Sequence, residues 1–478
     1  LSSQDNRYLG TPLSEYSVTH RTLSSASEPF AAGHLGELTQ QIPFEMVDEA
    51  LAETRTVQRR VRDLPSRVVV YLLLAGGLFA DLGYRQVWDR LVAGLGGVGV
   101  PTPTAGALTQ ARRRLGVKPL RFLFDLLRGP AAALSTMAGG GVYWRGLLVC
   151  AIDGTIMTVA DSTANLRVFT KQRGGQNGGA SYPTLRLLAV VACGTRTIID
   201  AVFGPVSSGE TTYAPRLLPS LRRGMLLLAD RNFAAGNLLH QVAATGADFL
   251  VRTKTGAGGP KLPILRRLHD GSYLSTFGAT AVRVVDAEIT IATQAGRVTG
   301  TYRLITTLLD PHRYPAFELV KLYHERWEIE TTYLELKSSI LSGRVLRART
   351  PAGVEQEVYA LLVTYQILRT AMADATTARP GTDPDRASFT IALNAARDLV
   401  IQAAGVIADT TIDLVGRIGR LVLANLMPDR RVRANPRTVK RAMSKYNAKT
   451  RTINRATHPA TITINILSVP TSTTGPEP

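Results

Sequence analysis

Two cysteines in 478 residues, Cys150 and Cys193, are too few for a disulfide framework or a thiolate metal cluster. Each sits in an apolar, strand-like run, so both read as buried hydrophobes of a protein kept in a reducing cytoplasm. Long apolar runs are missing too. The longest, Val68 to Ala80, is too short to span a bilayer and is bounded by Arg67 and Asp81, so it reads as a buried helix. Residues 1–30 are polar, Ser-rich and mixed in charge, unlike a secretory leader. Acidic residues are scarce: 37 Asp and Glu stand against 56 Lys and Arg, a formal net charge of +19 and a pI near 10.2. A chain this basic is expected to meet a polyanion, because phosphate neutralisation gives sequence-independent affinity. A bland basic protein rich in Ala, Gly and Arg has the same composition, so charge alone does not choose. The 45% hydrophobic content fits a globular chain, and its length implies two to four domains.

The patterning divides the chain. Residues 1–40 read as a flexible leader, and 41–135 as an N-terminal helical domain. In the latter, Pro65 opens an apolar helix and a second helix, Ala107–Leu115, stops at Gly116. An Ala/Gly/Pro-rich stretch, 129–141, marks a boundary. Residues 142–350 change to an α/β pattern in the order strand, strand, strand, helix, strand, helix, strand. Gly194-Thr195-Arg196 forms a hairpin between the second and third strands. A β-rich insertion occupies about 255–309, with strands at Val282–Ala292 and Val298–Leu308. A long helix, Ala316–Ile340, follows. Residues 351–425 are predicted to hold helices at about 353–375 and 388–424, and 426–478 a basic tail.

Two aspartates close strand-like runs, Asp153 after LLVCAI and Asp230 after MLLLA. Chemistry in open α/β sheets gathers at strand ends, where side chains share a crevice. A helix cap or loop start is the better explanation of either one taken alone. The third acid comes from helix geometry. In YHERWEIETTYLELK, residues Tyr323, Arg326, Glu330 and Lys337 have offsets 0, 3, 7 and 14. At 100° per residue they fall within an arc of about 60°, with Glu325, Glu328 and Glu335 on the other side. Three carboxylates from two strand ends and a later helix suit two divalent ions, Mg²⁺ or Mn²⁺, acting on phosphorus.

These residues carry a resemblance. The Y-x2-R-x3-E-x6-K spacing of Tyr323, Arg326, Glu330 and Lys337 resembles the signature of bacterial DDE transposases of the insertion sequence 4 family. Asp153 in AIDGT and Asp230 in LLADRNF are similar to that family's first and second catalytic aspartates. RRVRDLPSRVVVYLLLAGGLF, GYRQVWDRL and LTQARRRLG resemble its N-terminal domain. The resemblance spans about residues 40–450. It implies an RNase H-like core with a β-strand insertion, a helical DNA-binding domain before it and C-terminal helices after it. It also implies cut-and-paste transposition: metal-dependent cleavage at the terminal inverted repeats of double-stranded DNA, then strand transfer into target DNA by a homodimer. Carried over, Asp153, Asp230 and Glu330 bind metal, Arg326 and Lys337 hold phosphates, and Tyr323 contacts the DNA backbone. Some members place a Trp in the insertion to stack on an extruded base. Here Trp88, Trp144 and Trp327 all lie outside it; Tyr273, Phe277 and Tyr302 are the aromatics that remain, each better read as packing than as a stand-in.

Further basic residues are candidate DNA contacts: Lys254 in VRTK, Arg112, Arg113 and Arg114 on a short helix, and residues 430–455, which hold ten basic side chains and no acid. Within 430–455, Val439, Met443 and Tyr446 suggest a docking helix. Asp161 is a weaker metal candidate, better read as a turn or cap residue. Two rivals remain at this stage: a non-catalytic DNA-binding transposase remnant, and an RNase H-like metal nuclease without strand transfer.

Overall fold

The amino-terminal helices follow the apolar spacing of the sequence. The structure, a computed structural model, describes residues 33–60, 62–96, 99–131, 143–171, 182–256, 258–294, 296–406, 415–428, 433–434 and 458–468. Helix α1 (Phe44–Glu53) turns Met46, Val47, Ala50 and Leu51 inward. Helix α2 (Ser66–Leu78) is buried on nearly every side, as befits a helix apolar all round. α3 (Tyr84–Val92), α4 (Ala105–Leu115) and α5 (Lys118–Leu127) complete the set. Thr104 caps α4 by accepting the Ala107 N–H at 3.1 Å, and Gly116 ends it at φ 72°, the glycine stop read from the sequence.

The α/β region begins with β1 (Tyr143–Trp144), β2 (Leu147–Thr158), β3 (Thr184–Ala192) and β4 (Ile198–Pro205). β5 (Met225–Ala229), α6 (Gly236–Ala244) and β6 (Asp248–Thr253) follow. Arg196 turns the β3–β4 hairpin at φ 57°. In space the order is β4-β3-β2-β5-β6. The pairs β2/β5 and β5/β6 are parallel, and β2/β3 and β3/β4 antiparallel. Three antiparallel strands joined to two parallel ones in this order form an RNase H-like core. Strands β7 (Arg266–Arg267), β8 (Tyr273–Phe277), β9 (Thr280–Thr293) and β10 (Gly296–Thr306) make up the insertion. β10 pairs with β6, so the insertion extends the same sheet.

Residues 316–340 run as one helical rod, α7, in four pieces: α over Ala316–Leu322, 3₁₀ over Tyr323–Trp327, α over Glu328–Leu334 and π over Glu335–Ile340. Then come α8 (Pro351–Thr377), α9 (Phe389–Ile401) and α10 (Gly416–Ala424). Side chains alternate across each strand. Val149 and Ala151 of β2 therefore join the core beneath the amino- and carboxy-terminal helices and α7, while Leu148, Cys150 and Ile152 face α6. Cys150 and Cys193 are buried and free, in different core clusters, as their apolar settings imply.

Four readings need correction. Asp153 does not end its strand. β5 stops at Ala229, opposite Ile152, but β2 runs on to Thr158 against β3 alone. Residues 33–40 are packed and are not a leader: Leu35 and Leu38 are buried, and the Glu37 carboxylate accepts N–H groups of Arg417 and Ile418 at the start of α10. Among the described residues, the stretch 388–424 holds two helices, the first ending ahead of Ala403 and Gly405, which adopt positive φ. The tail contains a strand, β12 (His458–Ile466), paired with β9, and β11 (Arg433–Ala434) pairs with β12. Its Thr-Ile alternation drives this, with Ile464 and Ile466 packed on the main core. Residues 1–32 of the leader, and the rest of 430–455 with its docking helix, lie outside the described residues.

Candidate active site

Parallel pairing of β2 with β5 sets the two aspartates side by side. The last register pair is Ile152↔Ala229, and the next residue on each chain is Asp153 and Asp230. Ala151 and Leu228 both face the core that contains Ile329, Tyr333 and Leu336 of α7. Two residues further along each chain, Asp153 and Asp230 emerge toward α7 as well. The Asn232 N–H donates to Asp230 Oδ1 at 2.8 Å, and the Gly154 N–H to Asp153 Oδ1 at 2.8 Å.

Two devices fix α7 above this edge. The Tyr333 hydroxyl donates to the Asp153 carbonyl at 2.5 Å and accepts the Ala189 N–H at 3.1 Å, bridging the β2–β3 ladder at the level of Asp153. On the far side of α7, Arg196 donates from Nε to Glu328 at 2.5 Å and from Nη2 to Asp385 at 2.9 Å. Glu335 pairs with Arg369. The acids Glu328 and Glu335 therefore point away from the site, as the helix arc predicts. Overwound 3₁₀ and underwound π turns shift the phase in opposite senses, and Lys337 still reaches β2, its Nζ 3.3 Å from Thr155 Oγ1.

Arg326 sits between the acids. Its Nη1 is 3.1 Å from Asp153 Oδ2 and its Nη2 is 3.4 Å from Glu330 Oε1. Burial pushes the Asp153 carboxyl up to about 6, with the charges of Asp230 and Glu210 adding to the rise and the Gly154 N–H and Arg326 opposing it. A half-buried carboxylate in this state favours a cation at close range. The donor set is all oxygen, which matches hard divalent ions. It is this oxygen-only donor set that fits such an ion; Arg326, paired with Asp153 and Glu330, would have to release those oxygens to it. Among the described residues, the one acidic trio with oxygens all within 4.8 Å of one another is Glu325, Glu328 and Asp385. Arg196 pairs with two of the three, Glu328 and Asp385, so the group reads as an ion-paired lock on α7. Asp153, Asp230 and Glu330 stand further apart than this.

Several DNA-contact readings land differently. Tyr323 is buried, and its hydroxyl donates to the Ala229 carbonyl at 3.1 Å, bracing the turn before Asp230. Arg112 also faces inward. It stacks 3.7 Å over the Tyr84 ring, with Arg347 4.4 Å from the same ring, because it sits one turn after Leu108 on the flank of the buried stripe. Arg113 is exposed, and Arg114 donates to the Leu64 carbonyl at 3.1 Å. Lys254 is exposed just past β6. Asp161 pairs with Lys171 at 2.5 Å. Tyr273 and Phe277 are buried. Tyr302 is partly exposed and carries the Arg252 guanidinium 3.8 Å over its ring. Arg252 lies on the same sheet face as Asp230, and its charge is felt at Tyr323. Sequence reasoning passed over Arg252, Tyr333 and Glu210. Only Arg252 had a visible signal, its place two residues before Lys254 in VRTK.

Fold and site define the class: an RNase H-like domain with an aspartate on its first core strand, a second at the tip of its fourth and a glutamate on α7, the helix after the β insertion. Residues 144–367 match the transposase DDE domain family, and residues 32–125 match the insertion element 4 transposase N-terminal family. The chain is 27% identical over 424 residues to the Escherichia coli transposase InsG for insertion sequence element IS4, covering 86% of this chain and 93% of that one. It is 26% identical over 200 residues to the E. coli putative transposase InsZ, covering 42% of this chain and 64% of that one. A piggyBac transposase synaptic complex with hairpin DNA aligns with a TM-score of 0.41 at 12% identity, over 87% of this chain and 88% of that one. The chain belongs to the insertion sequence 4 family of DDE transposases, enzymes that act on DNA and generally use a divalent metal. No helix among the described residues is long and apolar enough to cross a membrane.

Proposed function

We propose that Asp153, Asp230 and Glu330 are the catalytic, metal-binding carboxylates. In this reading the protein cleaves double-stranded DNA at the terminal inverted repeats of its element and joins the ends to target DNA. The observation that carries it is the register: Ile152↔Ala229 sets the two aspartates abreast under α7, and Arg326 links Asp153 to Glu330. Two Mg²⁺ or Mn²⁺ ions held by these acids would activate the attacking oxygen and stabilise the leaving one.

The chain's own residues do the rest. Arg326 and Lys337 bring positive charge to the terminal phosphates. Tyr323 holds the β5 tip, and so Asp230, in place. Arg252 and the exposed Lys254 extend the cationic surface along β6. Tyr302 is the insertion aromatic best presented to an extruded base. Arg113, with Arg114 beside it, contributes from the helical domain, and Arg112 serves the core. The protein works as a homodimer on paired ends in the bacterial cytoplasm, at the nucleoid.

Glu330→Gln tests the assignment. It should abolish cleavage and strand joining while end binding in a mobility-shift assay persists. Retained cleavage rejects the site. A chelator should likewise stop cleavage without releasing DNA. A plain nuclease is separated by supplying pre-cleaved ends and supercoiled target, since it yields no joined product.

A further inference from the structure

We propose that Glu210 is a positioning residue for Asp230, acting through Asn232, and that position 154 is glycine to admit it. This rests on the reading of Asp230 as a catalytic carboxylate.

Glu210 opens the helical turn Glu210–Tyr213 after β4. Its two oxygens have separate partners. Oε1 accepts from Arg186 Nη1 of β3 at 2.7 Å, and Oε2 accepts from Asn232 Nδ2 at 2.7 Å. The same Asn232 donates its backbone N–H to Asp230 Oδ1. One carboxylate thus ties β3 to the turn that carries Asp230, passing behind β2. Gly154 lies on that rear face, since it follows Asp153 and neighbours in a strand alternate. A Cβ on Gly154 would sit 2.7 Å from Glu210 Cδ and 2.8 Å from its Cγ, closer than real Cβ contacts come. Glycine in the Asp-Gly pair therefore has a steric reason: it opens the slot through which Glu210 reaches Asn232. With Oδ1 engaged by the turn, Asp230 keeps Oδ2 for the site. A freed Asn232 would let the turn, and this carboxylate, rotate. Partners that orient a ligand from behind commonly change metal affinity or rate by 10–100-fold when removed.

The test is a double-mutant cycle of Glu210→Ala and Asn232→Ala in the full chain bound to its terminal DNA. Mn²⁺ binding is followed by the electron paramagnetic resonance of free Mn²⁺, alongside single-turnover cleavage and end-DNA Kd. Each single change should raise the Mn²⁺ midpoint by about tenfold and slow cleavage, with Kd for DNA unchanged. The double variant should be no worse than the worse single, because both break one link. Glu210→Gln should recover most of the loss, since its amide can still accept from Arg186 and meet a flipped Asn232. Gly154→Ala should copy the defect. An unchanged Mn²⁺ midpoint in both single variants, or effects that multiply in the double, overturns the proposal. If Glu210→Ala does not fold, Asn232→Ala alone decides: its turn is exposed, and an unchanged midpoint is refutation. Should Asp230→Asn keep cleaving, the site assignment fails instead, a result distinct from any of these.

Discussion

Tyr333→Phe removes one oxygen and leaves the ring in place. That oxygen satisfies two backbone groups, the Asp153 carbonyl and the Ala189 amide. Both belong to register partners on β2 and β3, and Tyr333 is buried. Each buried group left unpaired costs about 1–3 kcal/mol. Two such groups, softened by some strand relaxation, give an expected loss of about 2–4 kcal/mol. The loss should be local before it is global. Hydrogen exchange at the Ala189 amide should accelerate at least tenfold, and the urea midpoint should fall. Cleavage should slow as well, since Glu330 sits one turn from Tyr333 on the rod this hydroxyl anchors. If exchange at Ala189 is unchanged and the unfolding free energy falls by less than about 0.5 kcal/mol, the ladder has closed on itself and the anchoring argument is wrong.

Arg196→Met removes the ion pair to Glu328, which is fully buried, and the bond to Asp385. A loss of about 3–5 kcal/mol is expected in denaturation experiments, and a variant of wild-type stability would contradict the lock. Arg113→Ala should leave stability intact yet weaken end binding and lower its salt slope by about one, whereas Arg112→Ala should destabilise the fold. Equal effects of the two on binding alone would reverse the burial argument. Burial raises the Asp374 carboxyl to about 6, against the lowering effect of Gln41. The native state therefore holds a proton that the unfolded chain releases near 4, and stability from this group falls as pH rises from about 4 to 6. Asp374→Asn should stabilise by up to roughly 3 kcal/mol at pH 7 and by little at pH 4. A gain independent of pH would refute it.

The strands were legible because LLVCAI and MLLLA are buried on both faces and read as continuous apolar runs. The alignment of Tyr323, Arg326, Glu330 and Lys337 was legible because helix phase needs only spacing. What such phase cannot say is how deep each residue lies. Tyr323 and Arg112 share their arcs with genuine surface residues, but neighbours far along the chain, Ala229 and Tyr84, enclose them. The extension of β2 past Asp153 was hidden because Gly154-Thr155 looks like a turn, and only β3, some thirty residues on, keeps it extended. Glu210 and Tyr333 gave no signal, since their partners lie on other elements. β12 was masked by the basic residues before it.

The edge of the sheet carries a last consequence. The outer rim of β9 is shared out between β8, across Thr280–Val284, and β12, across Ala287–Thr293. Shortening the chain to drop β12 would bare a row of amides and carbonyls beside Ile289 and Ile291, an invitation to pair with other chains. Chains shortened by the last few dozen residues should therefore form strand-mediated aggregates even where the catalytic core folds.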